Sequence, residues 1–515
     1  MLETMGDLFR YNFEKFPEKL AIKYADREIT FGAHFTRCQQ LSSALYQVGV
    51  RRQDRLAVLS QNSPEYLEVY GAAELSGYIV TTINFRLIAP EVEFLLSSSQ
   101  PKVLFFEQQY LALIDILRDK FPCIEKFICF DGQVPWADSF EEFVLSGSVE
   151  GAPIHSRSTD VLHLMYTSGT TGRPKGVMLS QVSGLRNAET WSNEIGIKID
   201  DRFQLMMPLF HVGSRWLQIA THYRSAAIVL HREFVPEQIV QTMHREKITM
   251  SLMAPTMIQA VLDCPAIQGS DLTALHTICY SAAPMPVPLL RRGIERLGNI
   301  FLQVYAMTEC GGTTLHKHQH VVDGSPRYVK RLASVGQVVK TVGLRLVDQH
   351  GVEVSPGAVG EIVLQSETRM LGYWNDSIAT LQALRDGWYY TGDMGYLDED
   401  GFLYLVDRKK DIIISGGENI SSLEVENVLC QHPAVAAAAV IAQPDPKWGE
   451  SPCAFIELRQ GLLCSESELK EFCRQYLARF KIPKRVIFRE IPRTTTGKFQ
   501  KFILRNFVKE ELENS

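Results

Sequence analysis

One polar loop carries most of the information in this chain, and its residues read Tyr166-Thr167-Ser168-Gly169-Thr170-Thr171-Gly172-Arg173-Pro174-Lys175-Gly176. The glycines let backbone N–H groups approach anionic oxygens, the Ser and Thr hydroxyls add neutral donors, and Lys175 adds a positive charge. The apolar residues 161–165 before the loop predict a buried strand that holds its start. This composition favours a polyphosphate-binding loop over the alternative, a plain surface turn between two strands.

The loop differs from the common P-loop of nucleotide-binding proteins. That motif needs a glycine, four residues and then Gly-Lys-Ser or Gly-Lys-Thr. Counting from Gly169 puts Pro174 at the second glycine, so another kind of phosphate loop is indicated.

Length and composition point to a globular protein of several domains. With 515 residues the chain is too long for one ordinary core, and its 45% hydrophobic and 22% charged residues are close to globular averages. The net charge of −6 gives no basic field for a nucleic acid or an anionic membrane. We therefore expect no nucleic-acid partner, and an anionic ligand must be bound by local charges.

Cysteine usage and the terminal sequence predict a soluble, cytoplasmic protein. The ten cysteines form no Cys-x-x-Cys pair, which favours reduced core residues over zinc ligands or disulfides. Glu3 and Asp7 precede any apolar stretch, so a secretory signal is not indicated. The longest apolar run, residues 434–442, is shorter than the roughly 20 residues that span a bilayer.

The order of elements predicts α/β layers followed by a change of architecture. Short apolar strands at 55–60, 102–106 and 227–230 alternate with helical stretches such as 63–75 and 89–98, which favours parallel strands. Residues 342–351 and 360–365 resemble antiparallel strands joined by turns that contain glycine.

A run of five charges at 407–411 predicts an exposed linker or site, and we expect the domain boundary there, between residues 1–408 and 409–515. Residues 412–414 then predict a strand. Ser421 and Glu424 form a capping-box pattern that opens a helix, and His432-Pro433 is expected to end it.

Together with four further segments, the loop resembles the signature of one family, the adenylate-forming enzymes, which include acyl- and aryl-CoA synthetases, luciferases and the adenylation domains of peptide synthetases. The segments are Tyr305-Ala306-Met307-Thr308-Glu309, Tyr389-Tyr390-Thr391-Gly392-Asp393, residues 407–411 running on to Ser415-Gly416-Gly417-Glu418-Asn419, and residues 492–498 ending in Thr496-Gly497-Lys498. The resemblance covers most of the chain. It implies a large N-terminal ATP- and acyl-binding part with α/β subdomains and a smaller β-rich one, and a small, mobile α+β C-terminal lid domain.

The same resemblance implies a set of nucleotide-binding residues. The loop residues Thr167, Ser168, Gly169, Thr170, Thr171, Gly172 and Lys175 would hold the ATP phosphates and the leaving pyrophosphate. Glu309, beside Thr308 of the nucleotide site, would coordinate Mg²⁺; taken alone, a Glu after Thr is more often a charge at a helix start. Asp393 would accept hydrogen bonds from both ribose hydroxyls, with Arg408 as a second ribose contact.

Adenine would lie between Tyr305 and the segment Ala282-Ala283-Pro284. The chain departs from the family there, since glycines are common at Ala282, Ala283 and Ala306. We expect a tighter adenine slot, with ordinary core packing as the alternative reason for these alanines.

The C-terminal residues carry the expected chemistry of two half-reactions. Lys498 would bridge the carboxylate and the α-phosphate. Together with Thr167, His211 and Glu309 of the N-terminal part, it would form the catalytic set. Lys410 matches the hinge position of the family, Gly416 and Gly417 would line the channel for the pantetheine arm of coenzyme A, and Trp448 would lie near the CoA nucleotide or else cap the C-terminal core.

The segment 208–216 would line the acyl pocket. His211 occupies the position of an aromatic gate between the carboxylate and thiol routes, with a satisfied core histidine as the alternative. Arg215 interrupts apolar residues, so it either snorkels to solvent or meets a polar group of the substrate or of CoA. The cluster His316–His320 lies in a polar loop and is not expected to bind metal.

The sequence therefore predicts a ligase that uses ATP, Mg²⁺ and CoA to convert a fatty or aryl acid to its acyl-CoA through an acyl-adenylate. One alternative is an enzyme that delivers the acid to a separate carrier protein. A nucleotide-binding protein that has lost catalysis is disfavoured, because a decayed site should have lost at least one of its charged residues. All five are present: Lys175, Glu309, Asp393, Arg408 and Lys498. The resemblance leaves a homodimer open.

Overall fold

The computed structural model describes residues 2–167, 174–415, 418–494 and 497–513. Within them the α-helices are α1 (Met5–Lys15), α2 (Phe31–Gln47), α3 (Pro64–Ser76), α4 (Ala89–Ser99), α5 (Leu111–Leu117), α6 (Phe140–Leu145), α7 (Gln181–Ile195), α8 (Val212–Tyr223), α9 (Pro236–Arg245), α10 (Pro255–Asp263), α11 (Val287–Leu297), α12 (Pro326–Lys330), α13 (Ser377–Ala383), α14 (Ser422–Leu429), α15 (Glu466–Arg474) and α16 (Lys501–Glu513).

The strands alternate with these helices through the first half of the chain. They are β1 (Leu20–Tyr24), β2 (Arg27–Thr30), β3 (Arg55–Leu59), β4 (Ile79–Ile83), β5 (Val103–Phe106), β6 (Lys126–Cys129), β7 (Asp138–Ser139), β8 (Val161–Thr167), β9 (Lys175–Ser180), β10 (Arg202–Leu205), β11 (Ala227–Leu230), β12 (Met250–Met253), β13 (Thr277–Tyr280), β14 (Phe301–Tyr305), β15 (Thr313–Leu315), β16 (Gln337–Val338), β17 (Val342–Val347), β18 (Gly360–Ser366), β19 (Gly372–Tyr373), β20 (Leu384–Arg385), β21 (Trp388–Leu397), β22 (Leu403–Arg408), β23 (Ile413–Ser415), β24 (Glu418–Ile420), β25 (Val435–Asp445), β26 (Gly449–Leu458) and β27 (Arg485–Phe488).

Two large sheets form the N-terminal part. One has eight strands in the order β19-β9-β8-β4-β3-β5-β6-β7, and the other has nine in the order β16-β15-β14-β13-β12-β10-β11-β1-β2. Their central strands are parallel, as the alternation of elements predicted. A single core joins the two sheets, with Val58 and Val80 from one and Phe203 and Ile228 from the other.

The predicted strand β8 and helix α3 are confirmed. Strand β8 leads directly into the polar loop and is nearly all buried up to Met165. Helix α3 begins after Ser63, whose hydroxyl accepts from the backbone N–H of Tyr66, and Pro64 follows at its first position.

The predicted change of architecture is also confirmed. Strands β17 and β18 pair antiparallel, with Val342 opposite Ser366, and β21 and β22 extend this smaller sheet. Strand β22 ends at Arg408, inside the charged run.

The charged run itself is not a fully exposed linker. Lys409 and Lys410 are exposed, whereas Asp407 and Asp411 are buried. The Asp407 carboxylate accepts from the backbone N–H of Ser422 at 2.6 Å, and Asp411 pairs with Arg505. The acidic residues of the run therefore anchor helices α14 and α16, whereas the sequence predicted that the whole run is exposed.

Residues after this run build a separate α+β unit around an antiparallel sheet, β24-β23-β26-β25, with β27 added parallel to β26. The expected capping box at α14 is half formed: Ser421 accepts from the Glu424 N–H, but the Glu424 carboxylate pairs with Lys481. The helix ends at Leu429, before His432-Pro433. The boundary between residues 1–408 and 409–515 stays a prediction.

All ten cysteines are free, and six are buried, in agreement with their predicted role in the core. Among the residues that the structure describes, no helix is both long and apolar enough to cross a membrane.

Candidate active site

The predicted nucleotide residues follow the carboxyl ends of parallel strands. Ala282 follows β13, Glu309 lies shortly after β14, and His211 lies in the segment after β10. These three strands belong to the same nine-stranded sheet. Ligand sites of open α/β sheets lie at this end of the strands, so the topology brings the candidates to one side of the molecule.

Asp393 and Arg408 face each other across neighbouring antiparallel strands, β21 and β22. The Arg408 Nε lies 3.2 Å from Asp393 Oδ1, and the Tyr305 hydroxyl donates to Asp393 Oδ2 at 2.8 Å. Each carboxylate oxygen keeps further acceptor capacity, because a carboxylate offers about four lone-pair directions. The three residues that the sequence assigned to ribose and adenine thus form one connected group.

Glu309 is buried and has a neutral partner. The Tyr373 hydroxyl donates to its Oε1 at 3.1 Å, and Lys175 Nζ lies 4.9 Å from the centre of the Tyr373 ring. Burial raises the pKa of Glu309, and no Lys, Arg or His of the described ranges forms a direct ion pair with its carboxylate as a counter-charge. A divalent cation held by this carboxylate and by phosphate oxygens would supply that charge.

The described residues contain no group of three His, Cys, Asp or Glu side chains arranged to hold a metal ion. This includes the cluster 316–320, where His316 pairs with Glu194 and the Tyr280 hydroxyl lies 2.9 Å from His320 Nε2. These contacts place His316 and His320 in the packing of the fold.

Lys498 lies within range of the charges of Arg408 and Asp393, and we call the space among these residues the cleft. The loop of Lys498 rests against the start of α10, where a methyl group on Gly497 would come within 3.0 Å of Thr256 Oγ1. The residue is open to water, yet the surrounding protein atoms partly desolvate it. This desolvation and then the positive charge of Arg408 lower the pKa of Lys498 to about 8. The charge of Lys498 in turn acts on Glu309 and His211.

His211 is neutral and has a fixed ring. It caps the start of α8, and its Nδ1 accepts from the backbone N–H of Gly213 at 3.2 Å. Burial, and then the charge of Lys498, lower the pKa of His211 to about 4. At neutral pH the proton is therefore on Nε2, which leaves a hydrogen-bond donor at the far side of the ring.

Ala282 has a left-handed backbone conformation, with a φ of 75°. This conformation favours glycine because the Cβ of other residues crowds the carbonyl oxygen. Ala283 has no positive φ. The family's glycine at position 282 thus has a conformational reason that the sequence alone did not reveal, besides the partial burial of Ala282 against the core.

We expect Ala282→Gly to stabilise the protein by about 0.5–1 kcal/mol, because the relief of left-handed strain exceeds the entropy that glycine adds to the unfolded chain. Ala283→Gly is the matched control and should destabilise by about 0.4–1 kcal/mol, since it adds entropy to the unfolded chain and relieves no left-handed strain. Denaturant midpoints of both variants measure this. Equal destabilisation by the two substitutions would contradict the strain argument.

Arg215 corrects a sequence prediction, because it neither snorkels to solvent nor faces an open pocket. It is 1% exposed, pairs with Glu74, and donates from Nε to His163 Nε2 at 3.1 Å. Its guanidinium lies 4.1 Å from the centre of the Tyr70 ring. The charge is therefore satisfied inside the core between α3, α8 and β8.

Two predicted residues of the C-terminal part are at the surface. Lys410 is exposed, and its role as a hinge stays a prediction. Trp448 is 43% exposed and contacts Lys447 and Lys484 through its ring face, so it does not cap the C-terminal core. The predicted residues Ser168, Gly169, Thr170, Thr171, Gly172, Gly416 and Gly417 lie outside the described residues.

Thr167 and Lys175, at the two ends of the loop, are opposite each other in the ladder of β8 and β9. Thr308 and Pro284 lie in the turns after β14 and β13. Sequence reasoning missed Tyr373, which connects Glu309 to Lys175. Its only signal is the aromatic pair Tyr373-Trp374 after a glycine, which does not distinguish a site from a core turn.

Comparison with known proteins agrees with this geometry. The sequence model described as AMP-binding enzyme matches residues 9–374, and that of the AMP-binding enzyme C-terminal domain matches residues 424–498. The chain is 34% identical over 496 residues to the indoleacetate–CoA ligase of Aromatoleum aromaticum, covering 96% of each protein.

It is 32% identical to the fatty acid–[acyl-carrier-protein] ligase ScoC of Streptomyces coeruleorubidus, covering 98% of this chain and 96% of that protein. The structure of the anthranilate CoA ligase AuaEII in complex with anthranoyl-AMP superposes with a TM-score of 0.91 at 29% identity, covering 99% of this chain and 98% of that one. The chain belongs to the AMP-binding enzyme family, the adenylate-forming enzymes.

Proposed function

We propose that the protein is an ATP-dependent acid–thiol ligase that makes an acyl-CoA. A carboxylate oxygen of the acid attacks the α-phosphorus of ATP, the bond to the bridging oxygen breaks, and pyrophosphate leaves. The CoA sulfur then attacks the acyl carbon, its proton is lost, and AMP leaves with the former carboxylate oxygen. The observation that carries this proposal is that Lys498 lies in one cleft with Asp393, Arg408 and Glu309.

In this proposal the charged groups neutralise and orient anions, which is the main demand of the first step. Asp393 and Arg408 hold the ribose, Tyr305 lies along adenine, and Lys175 binds phosphate oxygens. Lys498 approaches both the carboxylate and the α-phosphate. Glu309 would hold Mg²⁺, which would neutralise phosphate charge.

The two steps need two arrangements of the C-terminal unit. Lys498 belongs to that unit and lies in the cleft, whereas Trp448 of the same unit, the proposed CoA-nucleotide contact, is 43% exposed. One rigid unit cannot present both faces at once, so we propose that it rotates about the exposed Lys410 between the steps. Gly416 and Gly417 would then line the pantetheine channel.

The acyl side of the cleft favours an apolar acid. Buried residues of α8 include Val212, Trp216 and Leu217. Arg215 offers no counter-ion to a second carboxylate of a substrate, because Glu74 already neutralises it. A medium- or long-chain fatty acid or an aryl acid therefore fits best, and relatives named for indoleacetate and for fatty acids act on such acids.

The carrier-protein ligase among the relatives supports an alternative acceptor, the phosphopantetheine arm of a separate protein. Both acceptors present the same thiol. They differ in whether free CoA at ordinary concentrations sustains stoichiometric turnover.

Pyrophosphate release across a panel of fatty and aryl acids, without and then with CoA, tests the proposal. We expect release with at least one apolar acid and formation of acyl-CoA and AMP when CoA is added. Release without acyl-CoA would favour the carrier protein. No release with any acid would contradict an adenylating enzyme.

We expect Glu309→Gln to raise the Mg²⁺ concentration needed for adenylation by about tenfold or more, because it keeps the shape but removes the charge that the metal needs. Burial raises the pKa of Glu309, so its ionised form costs folding free energy at neutral pH, and the variant should unfold no earlier than wild type. Magnesium titrations and thermal unfolding measure both. Glu361→Gln, at a buried carboxylate paired with Lys409, is the control. A wild-type magnesium response in Glu309→Gln would refute the assignment.

A further inference from the structure

The backbone segment that leads into His211 is held by side chains from residues 62–82, which include α3 and strand β4 of the other large sheet. Residues 206–211 connect β10 to α8 in the nine-stranded sheet. Asn62 lies in the turn between β3 and α3, Tyr70 lies in α3 and Thr82 lies in β4, and each bonds to a backbone group of this segment.

Asn62 makes the largest number of these bonds. It is 1% exposed, and its Oδ1 accepts from the Leu209 N–H at 2.7 Å. Its Nδ2 donates to the Met207 carbonyl and to the His231 carbonyl, both at 3.0 Å. One buried amide therefore joins the loop before α3 to the chain that leaves β10 and to the chain that leaves β11.

Two side-chain hydroxyls bond to consecutive backbone carbonyls of the same segment. The Tyr70 hydroxyl donates to the Leu209 carbonyl at 2.9 Å, and the Thr82 hydroxyl donates to the Phe210 carbonyl at 3.1 Å. The Tyr70 ring is itself confined, since the Arg215 guanidinium lies over it and the His163 ring meets it edge-on at 4.9 Å. Together with the bonds of Asn62, these bonds fix the backbone of residues 207–210, which directly precede His211.

The position of the His211 ring depends on the backbone of the neighbouring residues. Its Nδ1 bonds to Gly213 only two residues on, and its own N–H donates to the Pro208 carbonyl at 3.0 Å. A shift of residues 207–210 would therefore move the imidazole relative to Lys498, whose charge it senses.

We propose that Asn62, Tyr70 and Thr82 are positioning residues that hold His211 at the acid-binding side of the cleft. This inference rests on the proposed function for its kinetic part. The nucleotide contacts Tyr305, Asp393 and Arg408 come from β14, β21 and β22, so they do not depend on this segment. Loss of the positioning bonds should thus affect the acid and spare ATP.

The test compares Asn62→Ala, Tyr70→Phe and Thr82→Val with wild type. Tyr78→Phe is the matched control, because Tyr78 is equally buried and donates to a backbone carbonyl, that of Ser42, at 3.1 Å away from the cleft. Thr82→Ser keeps the hydroxyl and should restore wild-type behaviour.

The first readout is hydrogen exchange of peptides that cover residues 206–213 in the protein without substrates. Loss of one buried hydrogen bond should speed exchange there about fivefold, most directly at Leu209 in Asn62→Ala. The second readout is kinetic: KM for the acid should rise about three- to tenfold while KM for ATP stays within about twofold.

The two readouts separate this inference from the proposed function. Unchanged exchange at 206–213, or exchange no faster than in Tyr78→Phe, overturns the positioning role even in an active ligase. Equal rises in KM for acid and ATP also overturn it, because they indicate general loosening. Absence of adenylation by wild type with any acid refutes the proposed function, while exchange still decides whether the three side chains hold the segment.

Discussion

Lys498→Ala should slow acyl-adenylate formation by at least about 10²–10³, the scale for losing one preorganised charge-stabilising donor. Lys498 comes from the C-terminal unit and lies among the charges of the cleft, where it acts on Glu309 and His211. The same variant should leave thiolysis of supplied acyl-adenylate by CoA largely intact, because that step uses another face of the unit. Single-turnover assays of each half-reaction measure the two effects separately.

Lys410→Pro is the complementary variant, since proline fixes φ at the proposed hinge. Adenylation should persist, while acyl-CoA formation should fail because the unit cannot rotate. Equal damage to both steps in both variants would contradict rotation and leave an ATP-binding enzyme with one arrangement.

The pH dependence gives the Lys498 assignment an independent check. With a pKa of about 8 in the free protein, Lys498 is mostly protonated at neutral pH and loses its charge as the pH rises through 8. The kcat/KM of adenylation reports the free enzyme, so it should fall on this alkaline limb. Lys498→Arg keeps a charge at all accessible pH values and should lack the limb, although its rate is lower because the fork of arginine differs in shape from an ammonium. An unchanged limb would assign it to another group.

The motif residues could be located because short segments of the sequence resemble those of a family in the same order, while their individual roles stay predictions. Asp393, Arg408, Tyr305 and Lys498 were assigned from short segments, and the structure brings them together. The α/β layers and the antiparallel region were predictable for a similar reason, since strand and helix periodicities are local.

Long-range partners were not predictable. The sequence shows Arg215 among apolar residues but gives no sign that Glu74, 141 positions earlier, neutralises it. Asp407 and Asp411 stand in a charged run, which predicts exposure, yet both are buried. Their carboxylates tolerate burial because the Ser422 N–H bonds to Asp407 and the Arg505 side chain bonds to Asp411. The conformation of Ala282 is likewise set by its surroundings and not by its type.

Arg215→Leu should destabilise the protein by about 3–5 kcal/mol, the usual cost of removing one partner of a buried ion pair. The substitution leaves the buried Glu74 carboxylate without its counter-ion and His163 Nε2 without its donor. Because the guanidinium is buried and already paired with Glu74, the order of preference among acids should change little at a temperature where the variant is folded. Denaturant midpoints and the acid panel measure the two expectations.

A double variant distinguishes two causes of the lower stability of Arg215→Leu: an unpaired buried charge on Glu74, and the loss of packing around the guanidinium. Arg215→Leu with Glu74→Leu removes both charges, and an apolar pair in place of a buried ion pair is often neutral or stabilising, so most of the lost stability should return. Lys120→Leu is the surface control: its pair with Glu93 is about half exposed on both sides, and its loss should cost at most about 1 kcal/mol. If the double variant is as unstable as Arg215→Leu, the guanidinium stabilises the core through the Tyr70 ring and through the side-chain oxygen of Gln218, to which it also donates, instead of through Glu74. A changed order of acids in folded Arg215→Leu would return Arg215 to the substrate site.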